Sequence, residues 1–189
     1  MKYEKLKSAR DEEIVAKIIS ESQADYFEIL YKRYYQKVLD KCYSLLKNHQ
    51  LAEDFAEDIF SKTYEKLKTF RSISSFSSWL YSITYNHCID YLRQKKKLNY
   101  PEWNRENEIP EIIDETEDHL AAINYDDLLV ILDMIHPEEK ALLVMKYQDN
   151  ISLKQIGESL RISEDATKMR LKRARARVLY LYKGKFLNE

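Results

Sequence analysis

Glycine and proline are nearly missing from this chain: two of the first and three of the second in 189 residues. Both residues punctuate strands and form tight turns, so their scarcity excludes a turn-rich β architecture and predicts long helices with few connections. Cysteine is equally sparse. Cys42 and Cys88 stand far apart without CxxC spacing, and His49, His87, His119 and His136 do not cluster. This excludes a disulfide framework and a zinc module, and no metal or other cofactor is expected. The N-terminus shows no apolar leader, and no apolar run approaches the roughly 18 residues of a membrane span, so the chain is expected to be soluble and cytoplasmic, without direct membrane insertion. Two glycines leave little material for a phosphate-cradling loop. No nucleophile–base pair appears either, so enzymatic function is not expected.

What is present is a normal apolar share of 44% and a net charge of −1 that hides a sorted distribution. From Lys168 to Lys185 the chain carries Lys168, Arg170, Lys172, Arg173, Arg175, Arg177, Lys183 and Lys185 with no acid among them. From Glu102 to Asp118 the balance reverses, with Glu102, Glu106, Glu108, Glu111, Asp114, Glu115, Glu117 and Asp118 against Arg105 alone. Charge separated in this way points to parts with different tasks.

Hydrophobic spacing divides the chain further. Phe27, Leu30, Tyr31, Tyr34, Val38, Cys42, Leu45 and Leu46 recur at three- and four-residue steps and predict one helix. Leu51, Phe55, Ile59, Thr63 and Leu67 predict a second. After a Ser-rich stretch from Arg71 to Ser78, a third follows with Trp79, Leu80, Ile83, His87, Tyr91 and Leu92, running into Arg93, Lys95, Lys96 and Lys97. From Asn99 to Asp118 the periodicity fails, Pro101 and Pro110 occur, and a linker is predicted. Trp103 and the Ile109, Ile112, Ile113 group are unusual for a solvated tether. Beyond the linker, Pro137 fits the first position of a helix with Glu138 and Glu139 at its positive end. Ser152-Leu153-Lys154-Gln155 reads as a capping box opening a short helix to Leu160, and Ser163 as the cap of a long basic helix to about Lys183. The fold class is therefore all-α, with helical domains over 1–97 and 119–189 joined by an acidic linker over 98–118.

A short helix, a tight turn and a basic helix outline a helix-turn-helix. At roughly 100° per residue, Thr167, Leu171, Ala174, Val178 and Leu181 share an inward stripe. Lys168, Met169, Lys172 and Arg173 share the opposite side, with Arg170, Arg175 and Arg177 flanking it within reach of phosphates. A plain cationic helix end would place its charges in the last turn. Here they begin in the first turns, which favours DNA binding.

With those motifs in hand, the chain resembles the extracytoplasmic-function branch of the sigma-70 family of RNA polymerase sigma factors. His136-Pro137-Glu138-Glu139-Lys140, Ile151 to Glu158, Ile162-Ser163 and Arg170-Leu171-Lys172-Arg173-Ala174-Arg175 resemble its region 4. Ala52-Glu53-Asp54-Phe55-Ala56-Glu57-Asp58-Ile59-Phe60 resembles region 2.2. Phe76-Ser77-Ser78-Trp79-Leu80-Tyr81-Ser82-Ile83 with Asn86, Asp90 and Arg93 resembles regions 2.3 and 2.4.

The resemblance implies an alternative sigma factor whose partners are core RNA polymerase, promoter DNA and an anti-sigma factor. It places Asp54, Glu57 and Asp58 against the coiled coil of the polymerase β′ subunit, and the Leu142, Leu143 and Leu153 neighbourhood in the module that grips the β flap. Arg71, Phe76, Asn86 and Arg93 would serve capture of an unpaired minus-ten base and its backbone, with Lys95 to Lys97 following phosphates and Trp79 in the core. Lys168, Met169, Lys172, Arg173, Arg170 and Arg175 would meet the minus-thirty-five element. The acidic linker corresponds to the connector of the RNA exit path. Three departures stand out. Met169 replaces the Ser of the usual Thr-Val-Lys-Ser-Arg-Leu, shifting readout toward apolar contact such as a thymine methyl. Ser72 replaces a loop glycine. Arg161 replaces a turn glycine, which puts the left-handed turn in question there. The alternative is a stand-alone helix-turn-helix regulator acting as a dimer, which leaves the acidic helix and the capture loop without a role.

Overall fold

A computed structural model of the chain describes residues 8–21, 24–71, 73–95, 100–108 and 123–187. All regular structure among them is helical, and the chain divides into two compact units, Met1–Cys88 and Ile89–Glu189. The division falls inside one helix, Phe76–Lys95, upstream of the position 97 boundary that charge and periodicity suggest.

The first unit holds α1 (Asp11–Glu21), α2 (Phe27–Leu46), α3 (His49–Lys66) and most of α4 (Phe76–Lys95). Lys47, in the left-handed region at φ 55°, ends α2, and the Asn48 side chain caps α3 by accepting from Leu51 N at 2.9 Å. The polar break read from the sequence is thus a two-part stop-and-start signal, and so short a connection folds α3 back along α2. Ala52 and Ala56, both fully buried one turn apart, let α3 lie close against α2. Leu30, Val38, Cys42, Ile59, Phe76, Leu80 and Tyr85 fill the interior. Each fully buried Leu or Ile contributes about 1.5–3 kcal/mol relative to exposure. Cys42 and Cys88 are ordinary core positions. Their sulfurs lie 3.7 Å apart as free thiols, and the hydrogen bond to Cys42, added to burial, pushes the Cys88 thiol up.

The second unit contains the end of α4, then α5 (Tyr100–Glu106), α6 (Tyr125–Leu132), α7 (Pro137–Leu143), α8 (Leu153–Leu160) and α9 (Glu164–Tyr182). α9 is the spine, packing against α6, α7 and α8 through Leu171, Ala174, Val178 and Leu179. The capping signals act as read. Pro137 sits in the first turn of α7, the capping box of Ser152 and Gln155 is complete, and Ser163 accepts from Ala166 N at 3.1 Å. Part of the expected linker is ordered: α5 docks on this unit with Tyr100 buried. Ile109, Ile112 and Ile113 and the acids from Glu111 to Asp118 lie outside the described residues.

The turn between α8 and α9 corrects one expectation. Arg161 adopts the left-handed conformation, φ 58° and ψ 45°, although glycine would suit it better. The turn is imposed by Ile162 N donating to the Gly157 carbonyl at 2.9 Å, which closes α8 regardless of the side chain between. A non-glycine residue there costs roughly 1–2 kcal/mol. Arg161→Gly removes that cost and loses an exposed ion pair to Asp90 at 2.7 Å, worth about 0–1 kcal/mol. The denaturation midpoint should rise by the equivalent of roughly 0.5–1 kcal/mol at unchanged slope. Arg161→Ala should show no such gain; a stabilising alanine would place the effect elsewhere.

Candidate nucleic-acid and polymerase interfaces

On α9 Thr167, Leu171, Ala174 and Val178 of the inward stripe are buried, and Leu181 at its end is half-buried. Lys168, Met169, Lys172 and Arg173 are exposed on the other side, Met169 at 51%. They form two columns one turn apart, Lys168 above Lys172 and Met169 above Arg173. Lys168 is shared with the first-turn acids Glu164, at 3.3 Å, and Asp165, at 3.7 Å, and the hydrogen bond to Glu164 pushes its ammonium up. Lys172 and Arg173 make no ion pair with a described residue, so they present their charges outward.

The flanking arginines are a correction. Arg177 is buried beside Glu139, its Nε 2.9 Å from the carboxylate, and cannot reach a phosphate. Arg170 is half-buried, donates to Glu138 at 2.7 Å and covers the Tyr100 ring at 4.5 Å. Arg175 is half-buried and donates to Tyr147 Oη at 3.1 Å. Arg177 thus lies inside the second unit, and Arg170 and Arg175 are each engaged by a neighbour within it. Arg93 likewise donates from Nε to Glu138 at 2.8 Å and from Nη2 to the Leu160 carbonyl at 3.2 Å, within the second unit. The hydrogen bond to Glu138 raises the Arg93 guanidinium.

Spacing along the sequence did not reveal the group that gathers these cations. Glu138 and Glu139, legible only as acids at a helix start, are 3% and 0% exposed. Glu139 also accepts from Tyr100 Oη at 3.1 Å, and Arg177 lies 4.4 Å from the Trp103 ring centre and donates to Asn104 at 2.9 Å. That is where Trp103 docks. His136 caps α7, its Nδ1 accepting from Glu138 N at 3.1 Å, and burial holds it down to about 4. The imidazole is therefore neutral at neutral pH.

In the first unit Asp54, Glu57 and Asp58 are exposed along α3, with Glu53 beside them. Two of these carboxylates accept hydrogen bonds from neighbours, and the third lies near a histidine. Tyr31 donates to Glu57 at 2.7 Å, Gln50 donates to Asp54 at 3.1 Å, and Asp58 lies 3.8 Å from His87 Nε2. Burial, aided by Glu57, pushes the Tyr31 phenol up to about 12, so it stays protonated and keeps donating. Tyr31 and Phe60 rings meet at 4.8 Å, backing the acidic row with an aromatic layer.

The Ser-rich stretch keeps Arg71 exposed and Asn86 half-buried, while Ser72 lies outside the described residues. Phe76 is a correction: it is fully buried against Phe70, Trp79 and Tyr34, so its ring offers no face to a base. Trp79, half-buried, packs beside it at 5.9 Å. Ile73, which no periodic pattern marks, stands 85% exposed in the loop.

An acidic-faced helical unit followed by a helix-turn-helix with an outward cationic face defines a transcription protein of two recognition modules. The Sigma-70 region 2 profile matches residues 30–98 and the Sigma-70 region 4 profile matches residues 125–178. The ECF RNA polymerase sigma factor SigW of Bacillus subtilis (strain 168) is 28% identical over 172 residues, covering 84% of this chain and 90% of that protein. RNA polymerase sigma factor YlaC of the same organism is 28% identical over 153 residues, covering 80% and 88%. The fold is shared with the sigma factor RpoE from Bartonella quintana, solved with the anti-sigma factor NepR, at a TM-score of 0.57 and 19% identity, over 84% of this chain and 98% of that one. CnrH, solved with the cytosolic domain of CnrY, gives 0.56 and 19% over 93% and 98%. The chain belongs to the sigma-70 family, in its extracytoplasmic-function group. It is an alternative sigma factor, which binds core RNA polymerase and directs promoter recognition and initiation. Among the described residues no helix is long and apolar enough to cross a membrane.

Proposed function

We propose that residues 1–97 dock on the polymerase β′ coiled coil through Asp54, Glu57 and Asp58 and capture the minus-ten element with the loop from Arg71 and with Asn86. Residues 119–189 engage the β flap and read the minus-thirty-five element with Lys168, Met169, Lys172 and Arg173, while residues 98–118 serve as the connector. The chain acts in the cytoplasm and supplies no catalytic group; the polymerase performs the chemistry. An anti-sigma factor holds it inactive, in keeping with the complex with the anti-sigma factor NepR in which the structural relative RpoE was solved.

The observation that carries this reading is the outward row Asp54, Glu57, Asp58, since a free-standing regulator has no use for an acidic face whose carboxylates are braced by Tyr31 and Gln50. Like-charge placement against a charged partner costs several kcal/mol. Glu57→Lys and Asp58→Lys should therefore weaken core polymerase binding by at least roughly tenfold while leaving the thermal unfolding of the free protein intact. Titration of fluorescently labelled chain with core polymerase measures this. Wild-type affinity in both variants would remove the acidic row from the docking surface.

A further inference from the structure

The N-terminal helix α1 (Asp11–Glu21) plays no part in the recognition scheme above, yet one of its acids reaches the start of α4 and another holds a residue of α2 that packs there. Glu12 Oε1 accepts from the backbone N–H of Phe76, the first residue of α4, at 3.1 Å and 64 residues away in sequence. Asp11 binds Arg33 at 2.5 Å and also accepts from Tyr34 Oη, while Arg33 Nη2 donates to the Ala9 carbonyl at 2.9 Å. The Tyr34 ring meets Phe76 edge-on at 5.6 Å. α1 therefore holds the first residue of α4 directly through its backbone N–H, and indirectly through Tyr34, whose ring packs on that of Phe76.

The first four N–H groups of a helix need partners from outside it. The residue before the helix can supply one, and Ser75 does so by accepting from Ser78 N at 3.1 Å. It leaves the Phe76 N–H over, and Glu12 takes it with a carboxylate at the positive end of the helix dipole. Phe76 is anchored in the core, so this bond fixes the backbone of the residue from which Ser75, Ser74 and Ile73 lead away.

We propose that Glu12 is a positioning residue for minus-ten capture: it fixes the start of α4, and so the loop before it, in the geometry that receives the unpaired base. The proposal rests on the minus-ten reading of that loop. Polymerase docking is assigned to α3, which Glu12 does not touch in any described contact, so the two functions separate under substitution.

The test uses full-length chain assembled with core polymerase, and a pool of single-stranded DNA randomised over the minus-ten element, with wild-type holoenzyme defining the preferred sequences. Glu12→Ala should bind core as wild type does, bind the preferred single strands roughly tenfold more weakly, and discriminate less among bases at the captured position. Glu12→Gln, whose amide oxygen still accepts from Phe76 N–H, should recover most of that loss. Wild-type affinity and discrimination in Glu12→Ala would overturn the proposal. So would parallel losses in core binding and single-strand binding, which mark a residue that only stabilises the fold. If wild-type holoenzyme itself selects no sequence from the pool while still binding core, the minus-ten reading fails and takes this proposal with it.

Discussion

Arg177→Met is expected to destabilise the second unit by about 3–5 kcal/mol, the usual effect of leaving a buried charge without its partner. Glu139 is fully buried, and Arg177 contributes two N–H···O contacts to it, at 2.9 and 3.2 Å. With Arg177 gone, the hydroxyl of Tyr100 is left to face the carboxylate from α5. Burial already pushes the Glu139 carboxyl above the usual carboxylate range against the pull of Arg177, and its removal lets the carboxyl rise further. A raised folded-state value means the protonated form suits the fold. The deficit of Arg177→Met is then smallest below the unfolded carboxylate value and grows as pH rises through the folded one. Measured against wild type by denaturant unfolding, it should shrink as the pH falls from neutral toward the ordinary carboxylate range. The double substitution Arg177→Met, Glu139→Leu should recover much of the loss, because an apolar pair of similar volume replaces a buried ion pair with little penalty. A loss below about 1 kcal/mol in the single variant, typical of exposed pairs, would contradict the burial argument.

Gly157→Ala is expected to lose about 1–3 kcal/mol, although alanine favours a helix interior over glycine by roughly 0.5–1 kcal/mol. A β-carbon at Gly157 would sit 2.8 Å from the Ile162 carbonyl oxygen and 3.0 Å from Thr167 Oγ1. The first of these is backbone, held by the same turn that forces Arg161 into its left-handed conformation. Thr167 is held too, its hydroxyl donating to the Ser163 carbonyl at 2.9 Å. Relief therefore requires α8 and α9 to separate, which tilts Lys168, Met169, Lys172 and Arg173 relative to the helix that supports them. Unfolding should show lower stability, and holoenzyme should lose affinity for a minus-thirty-five duplex beyond the effect on stability. A neutral or stabilising alanine would mean that helix propensity outweighs the contact.

Signals confined to neighbouring residues were legible in the sequence, and those that join distant segments were not. The caps at Ser152 and Ser163, Pro137 at the start of α7 and the buried stripe of α9 follow from three- and four-residue spacing, and the structure contains them all. The same spacing places Arg170 and Arg177 on the flanks of α9, where either phosphate or a buried carboxylate could claim them. Their partners Glu138 and Glu139 lie 32 and 38 residues away, and a dipole argument already accounted for both acids. Phe76 was ambiguous in a similar way: an aromatic beside a capture loop can face a base or the core, and Phe70, Trp79 and Tyr34 settle it toward the core. Arg161 shows the converse. Its residue type argued against a left-handed turn, and the backbone bond from Ile162 to Gly157 prevailed over that preference.

The central claim, that this is a sigma factor whose two modules work on core polymerase, is tested most directly by co-migration of the purified chain with bacterial core RNA polymerase on a sizing column, followed by run-off transcription from a promoter library. A stable one-to-one complex that initiates from a selected set of promoters sharing two spaced elements is the predicted result. Tight, sequence-specific duplex binding by the free chain with no association with core would contradict it.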